Sequence, residues 1–191
     1  MASLVNAAAP DRRHKIPVVT ICVLAATGVV TSLQLFSPAV LPALERVPGS
    51  VSAGQWWRLI TPLFVHADGW RQIAFNFSAI AVVGTFVERI FGRLNWLVLY
   101  FVSGIVGELT GMRWQPTGAG ASVAGCGLLG ALAIWLMARN RTPGGRFGGA
   151  FILLGAAVLV FLRDIHGPPI FSGAVLAGVM LTNRSRESSQ S

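Results

Sequence analysis

Two residues in this chain have the chemistry of a nucleophile and its base. Ser122 stands near the start of one apolar stretch, Gly120-Ala121-Ser122-Val123-Ala124-Gly125-Cys126-Gly127. His166 opens another, Asp164-Ile165-His166-Gly167-Pro168-Pro169. Arg139 lies 17 residues beyond Ser122, and the polar Asn183 lies 17 residues beyond His166. If both stretches are helices, about 1.5 Å of rise per residue puts both side chains roughly 26 Å above the same membrane face. A serine hydroxyl attacks poorly until a base removes its proton. A neutral histidine suits that task, because it titrates near working pH. The oxyanion that forms needs donors. Free N–H groups at the start of the Ser122 helix supply some, and the amide of Asn76 adds a side-chain donor. Taken singly, such a serine is a packing residue and such a histidine an interfacial one. Their shared depth, in a chain with three histidines in all, favours a site, since polar groups are costly in hydrocarbon.

The elements that must hold this pair are membrane spans. The chain is 53% hydrophobic and 12% charged, with a mean hydropathy of +0.65, which marks an integral membrane protein. Its 191 residues make one domain of helices packed in lipid. The +8 net charge does not imply a nucleic-acid partner, because the basic residues are scattered in short loops between apolar spans. Six spans are expected, at about 17–36, 70–87, 94–112, 119–138, 148–162 and 166–182. With the N-terminus cytoplasmic, ten Lys and Arg fall on the inner side and five on the outer. Both termini are then inside, and Ser122 and His166 lie near the extracytoplasmic face. This gives a cytoplasmic tail over 1–16, a six-helix membrane domain over 17–182 and a disordered cytoplasmic tail over 183–191.

The outer segment 37–69 carries an apolar run from Leu59 to Val65, too short to span and expected in the membrane interface with Trp56 and Trp57. Cys22 and Cys126 fall within spans and imply no disulfide; Cys126 reads as a small packing residue one turn after Ser122. Glu108 is expected to pair with Arg113 at the outer surface. Small residues crowd three spans, with Gly104, Gly107 and Gly111 in the third, Gly125, Gly127 and Gly130 in the fourth, and Gly173, Ala177 and Gly178 in the sixth. Spacings of three and four let such helices approach closely and bring Ser122 to His166.

The ordered series of motifs resembles the rhomboid family of intramembrane serine proteases over roughly residues 54–182. Trp57-Arg58 with Thr61-Pro62-Leu63-Phe64-Val65-His66 is similar to the family's first-loop signature. Phe75-Asn76 and Val87-Glu88-Arg89 with Gly92 resemble its second span, and Tyr100 with Ser103-Gly104 its third. Gly120-Ala121-Ser122 followed by Gly127-Leu128-Leu129-Gly130-Ala131 resembles its nucleophile helix. The resemblance implies an all-α, six-span bundle in a bacterial cytoplasmic membrane, with Ser122 as nucleophile and His166 as base. Asn76 would belong to the oxyanion site, with Gln72 and Gly120 beside it where substrate binds. The family uses a Ser–His dyad with no third carboxylate and no metal or cofactor. It cuts transmembrane segments of other proteins near their outer ends, so the expected partners are transmembrane substrates and membrane lipid. The oligomeric state stays open.

Four departures stand out. Gln72 replaces a second histidine, and Val123 follows the serine where the family has glycine. The interval from His66 to Asn76 is one residue longer. Pro169 replaces a glycine three residues after His166. Matching Gly173 and Ala174 to a glycine pair instead would put Phe171 at the base position. Depth favours His166, because Phe171 would lie roughly 8 Å below Ser122, and Pro168 and Pro169 suit a first helical turn. The alternative reading is a rhomboid-like pseudoprotease that binds membrane proteins without cutting them. A transporter or channel is disfavoured by the lack of charged residues at mid-span.

Overall fold

The computed structural model describes residues 16–139 and 142–190, so the basic cluster at 12–15 and Arg141 lie outside the described residues. The order is α1 (Val18–Phe36), α2 (Val40–Leu44), two 3-10 turns (Trp56–Leu59 and Thr61–Phe64), then α3 (Gly69–Ala79). A π-turn (Ile80–Gly84) joins α3 to α4 (Thr85–Phe91), and α5 (Arg93–Trp114), α6 (Ser122–Arg139), α7 (Pro143–Phe161) and α8 (Gly167–Gln190) follow. Among the described residues there is no strand beyond an isolated bridge between Arg46 and Gly118. Among the described residues five helical segments are long and apolar enough to cross a bilayer: α1, the continuous Gly69–Phe91 rod, α5, α6 and α7. The sixth long helix, α8, is apolar in its first half and polar in its last turns. The protein is an all-helical, multi-pass membrane bundle.

The bundle centres on α6, which packs against α5, α7 and α8. Its contact with α8 is close enough to exclude side chains. A Cβ on Gly130 would stand 1.9 Å from the carbonyl oxygen of Ile170, and one on Gly173 would stand 2.0 Å from that of Gly127. Glycine at both positions lets the two backbones touch, giving van der Waals contact that lipid cannot supply. On the outer side of the bundle α7 buries only Gly149 and Ala156 and presents Phe147, Phe151, Leu154 and Val158 outward. In α1, Thr20, Val23, Thr27 and Thr31 are the buried residues, spaced three and four apart on one face.

Buried polar residues tie these helices together. The Glu88 carboxylate accepts the N–H groups of Val19 (3.0 Å) and Thr20 (2.8 Å), capping the positive end of α1 from α4. At the end of the π-turn the Gly84 carbonyl accepts the Trp96 indole N–H at 3.0 Å. Gln34 clamps the His66 backbone, donating to its carbonyl (2.6 Å) and accepting its N–H (2.9 Å). Burial holds the His66 imidazole below its ordinary pKa, and its Nδ1 meets the Thr31 hydroxyl at 3.2 Å.

Three expectations are corrected. The run Leu59 to Val65 does not simply lie on the interface, because Leu63 and Val65 are fully buried and Leu63 fills the space over Gly104. Trp56 and Trp57 do stay exposed, while Arg58 turns inward to the carbonyls of Pro42 and Glu45. The tail 183–191 is not disordered over its first eight residues, since α8 continues to Gln190. Nothing in Asn183-Arg184-Ser185-Arg186 breaks a helix, and Arg184 donates to the carbonyls of Ile90 (2.9 Å) and Phe91 (2.6 Å) that end α4.

Glu108 does not pair with Arg113, which is exposed. Its carboxylate takes Arg46 at 2.6 Å, with both side chains almost wholly buried. Arg46 also donates twice to the Gln115 carbonyl, and its backbone pairs with Gly118. The first loop is thereby fastened to the α5–α6 connection that leads into Ser122. Removing one member of such a pair strands the other. Glu108→Ala is therefore expected to destabilise the fold by about 3–5 kcal/mol, seen as a lowered thermal midpoint in detergent. Arg113→Ala is expected to leave the midpoint unchanged.

Candidate active site

Ser122 is the first residue of α6, where the N–H groups have no earlier turn to bond. The first helical bond there runs from Gly125 N–H to the Ala121 carbonyl at 2.9 Å, so the N–H groups of Ser122, Val123 and Ala124 precede it. His166 immediately precedes α8, whose first turn contains Pro168 and Pro169, residues that need no N–H partner there. The close α6–α8 contact brings the two helix starts side by side. His166 Nε2 lies 3.0 Å from Ser122 Oγ.

On its other side the imidazole meets a carboxylate. Asp164 Oδ1 accepts the His166 backbone N–H at 2.9 Å and lies 2.6 Å from Nδ1. Partial burial works to raise the Asp164 pKa, but the hydrogen bonds and charge of His166 outweigh it and hold the carboxyl below its usual value. Asp164 is thus an anion at neutral pH, and an anion at Nδ1 requires the proton on that nitrogen. Nε2 is left as the acceptor for the Ser122 hydroxyl.

Ser122 and His166 open onto a cavity of about 160 Å³, whose wall includes Gln72, Gly120, Arg46 and Glu108. Gln72 accepts from Asp68 N–H (3.1 Å) and donates to the Ala119 carbonyl (3.1 Å), leaving one amide hydrogen uncommitted. Gly120 provides room rather than a donor. Its N–H is spent on the Pro62 carbonyl at 2.9 Å, and a Cβ there would stand 2.6 Å from Gln72 Nε2 and 3.3 Å from Ser122 Oγ. Asn76 lies buried on α3, and its Nδ2 has no hydrogen-bond partner among the described residues. It is not part of the cavity wall. Val123 is buried against α5, where Gly107 lacks the side chain that would collide with it. Phe171, the other register's choice, is 37% exposed on the outer face of α8.

Asp164 had been only a flanking letter in the sequence, although an aspartate two residues before a residue that needs its N–H held is a recognisable turn signal. Arg46 carried no local signal at all. Among the described residues no cluster of histidine, cysteine or acidic side chains has the arrangement of a metal site.

The fold and site together define a class: a polytopic helical membrane protein that holds a serine and a histidine in hydrogen-bond contact beside a polar cavity. The chain belongs to the rhomboid family, with residues 53–181 matching the Rhomboid domain. It is 41% identical over 92 residues to Rhomboid protease GluP of Bacillus subtilis (strain 168), covering 48% of this chain and 18% of that protein. Rhomboid-like protease 3 of Toxoplasma gondii is 36% identical over 159 residues, 78% of this chain and 57% of its own length. Rhomboid protease AarA of Providencia stuartii is 32% identical over 101 residues, 44% of this chain and 36% of that protein. The chain thus spans less than two thirds of each of these relatives.

Proposed function

We propose that this chain is an intramembrane serine endopeptidase that cleaves transmembrane segments of other membrane proteins. The observation that carries this is the 3.0 Å contact between Ser122 Oγ and His166 Nε2 at the wall of a polar cavity. Ser122 Oγ attacks the scissile carbonyl carbon while its proton passes to His166 Nε2. The carbonyl oxygen becomes an oxyanion, which the first N–H groups of α6 and the free amide hydrogen of Gln72 at the cavity wall are suited to receive. Collapse of the adduct breaks the C–N bond, and the leaving amine takes the proton from His166. Water then attacks the acyl-serine ester, giving its proton to His166, and Ser122 regains a proton as the new carboxyl terminus leaves.

Water must reach the pair for this chemistry, and the polar cavity meets that need within a bundle otherwise facing lipid. The asymmetry of basic residues supports both termini on the cytoplasmic side of a cell membrane, with Ser122 near the opposite face. Substrates are then bound near the outer ends of their own spans.

The test uses the full chain in liposomes with a panel of single-span substrates whose outer ends carry helix-weakening residues. The expected result is one cut per substrate near that end, together with covalent labelling of Ser122 by a serine-directed fluorophosphonate. Absence of both cleavage and labelling would overturn the proposal in favour of a rhomboid-like protein that binds without cutting.

A further inference from the structure

The turn between α7 and α8 is shaped around one carboxylate. α7 ends with Arg163 N–H bonded to the Val160 carbonyl (3.0 Å) and Asp164 N–H bonded to the Leu159 carbonyl (2.8 Å). That closing pattern needs a left-handed residue and normally uses glycine. Here Arg163 takes it, at φ 57°, and it is the one non-glycine residue with positive φ among the described residues. Such a conformation costs an L-residue energy and persists where its surroundings demand it. Its consequence is local: the next residue, Asp164, is delivered to the start of α8. There a single oxygen, Oδ1, contacts both the backbone N–H and the Nδ1 of His166.

We infer that Asp164 is a positioning residue for His166, so that this chain works with a Ser122–His166–Asp164 triad rather than a bare pair. The inference rests on the reading of Ser122 and His166 as nucleophile and base. The carboxylate does three things. It fixes the tautomer, because Nδ1 must carry the proton that Oδ1 accepts, which turns the Nε2 lone pair toward Ser122. It fixes the ring plane, because the same oxygen is anchored to the backbone of the residue it orients. It also offsets the positive charge that His166 acquires as Ser122 attacks.

Other groups around the imidazole do not substitute for it. From α6 it faces Ser122, with Cys126 a turn further on and within electrostatic reach of Asp164. Across the cavity stand Asp68 and Gln72, while Arg46 and Glu108 are spent on each other. Asp164 and His166 are each one-third exposed, so solvent screens the carboxylate's charge. Its loss is expected to cost about tenfold to 10²-fold in rate, less than the roughly 10⁴-fold typical of a buried triad carboxylate.

The decisive variant is Asp164→Asn, whose side-chain oxygen can still hold the turn but carries no charge. In liposome cleavage it is expected to lower kcat by that factor with little change in KM. Arg163→Gly, which relaxes the turn and leaves Asp164 in place, is expected to keep the wild-type rate. A second measurement does not depend on cleavage. In protein labelled with 15N-histidine, the His166 signals, assigned by comparison with His166→Gln, are expected to show a protonated Nδ1 that is lost or mixed in Asp164→Asn. An unchanged kcat in Asp164→Asn would overturn the inference, as would a bare Nδ1 in the wild type. If the wild type cuts nothing, the protease reading fails, and the nitrogen spectrum alone decides whether Asp164 sets the tautomer.

Discussion

His166→Ala is expected to lower substrate cleavage by about 10²–10⁴-fold, the usual contribution of a positioned general base, whereas Phe171→Ala leaves it near wild type. The two variants separate two registers of the last helix. In one register Gly173 and Ala174 act as a glycine pair and Phe171 stands where a base belongs. In the other His166 is the base, and proline occupies the position of one expected glycine. Packing distinguishes them. Pro169 sits against the bare face of Gly107, where a Cβ would come within 2.8 Å of the proline ring. Gly173 meets the backbone of Gly127, and Phe171 points outward. A ring at Phe171 therefore has no line to Ser122, and Phe171→His is expected to restore nothing when combined with His166→Ala. The rates are read in liposomes against Ser122→Ala as the zero. Full activity in His166→Ala, or rescue by Phe171→His, would reverse the assignment.

How much of this was legible follows from what kind of force each feature reflects. Helical rise is constant, so counting residues from Arg139 and Asn183 was enough to put Ser122 and His166 at one level. Hydropathy reports a segment's preference for lipid, so the rods were visible in outline. It says nothing about which residues meet. Arg46 finds Glu108 across 62 positions of sequence because the first loop folds back over α5, while Arg113, only five residues from Glu108, points to the outside. The same blindness applied to Leu63 and Val65, whose apolar character fits the interface and the bundle interior equally well. The extension of α8 past Asn183 depended on the α4 carbonyls waiting for Arg184. Asp164 was missed for a different reason. A family pattern without a third carboxylate gave no cause to weigh it, although its spacing to His166 is a local signal that needs no tertiary contact.

Gly130→Ala and Gly173→Ala are expected to damage fold and activity together, although each adds a single methyl group. The new carbon on Gly130 would stand 1.9 Å from a backbone oxygen, and that on Gly173 would stand 2.0 Å from another. Carbonyl oxygens fixed in a helix cannot swing aside, so α6 and α8 must part by more than about 1 Å to reach ordinary contact. Overpacking of this kind costs about 1–3 kcal/mol, more where backbone itself must move. Ser122 and His166 stand at the starts of the two helices being separated, and a displacement of that order at a reacting pair costs roughly 10²-fold in rate. Gly155 and Gly178 supply the contrast, since a Cβ at either meets open space. Alanine there is expected to be neutral or to stabilise by up to about 1 kcal/mol through helix propensity. Thermal unfolding in detergent and cleavage in liposomes, measured on all four variants, check both halves of the claim. A Gly130→Ala protein with an unchanged midpoint and rate would mean that α6 and α8 are not in backbone contact. The approach of Ser122 to His166 would then need a different cause.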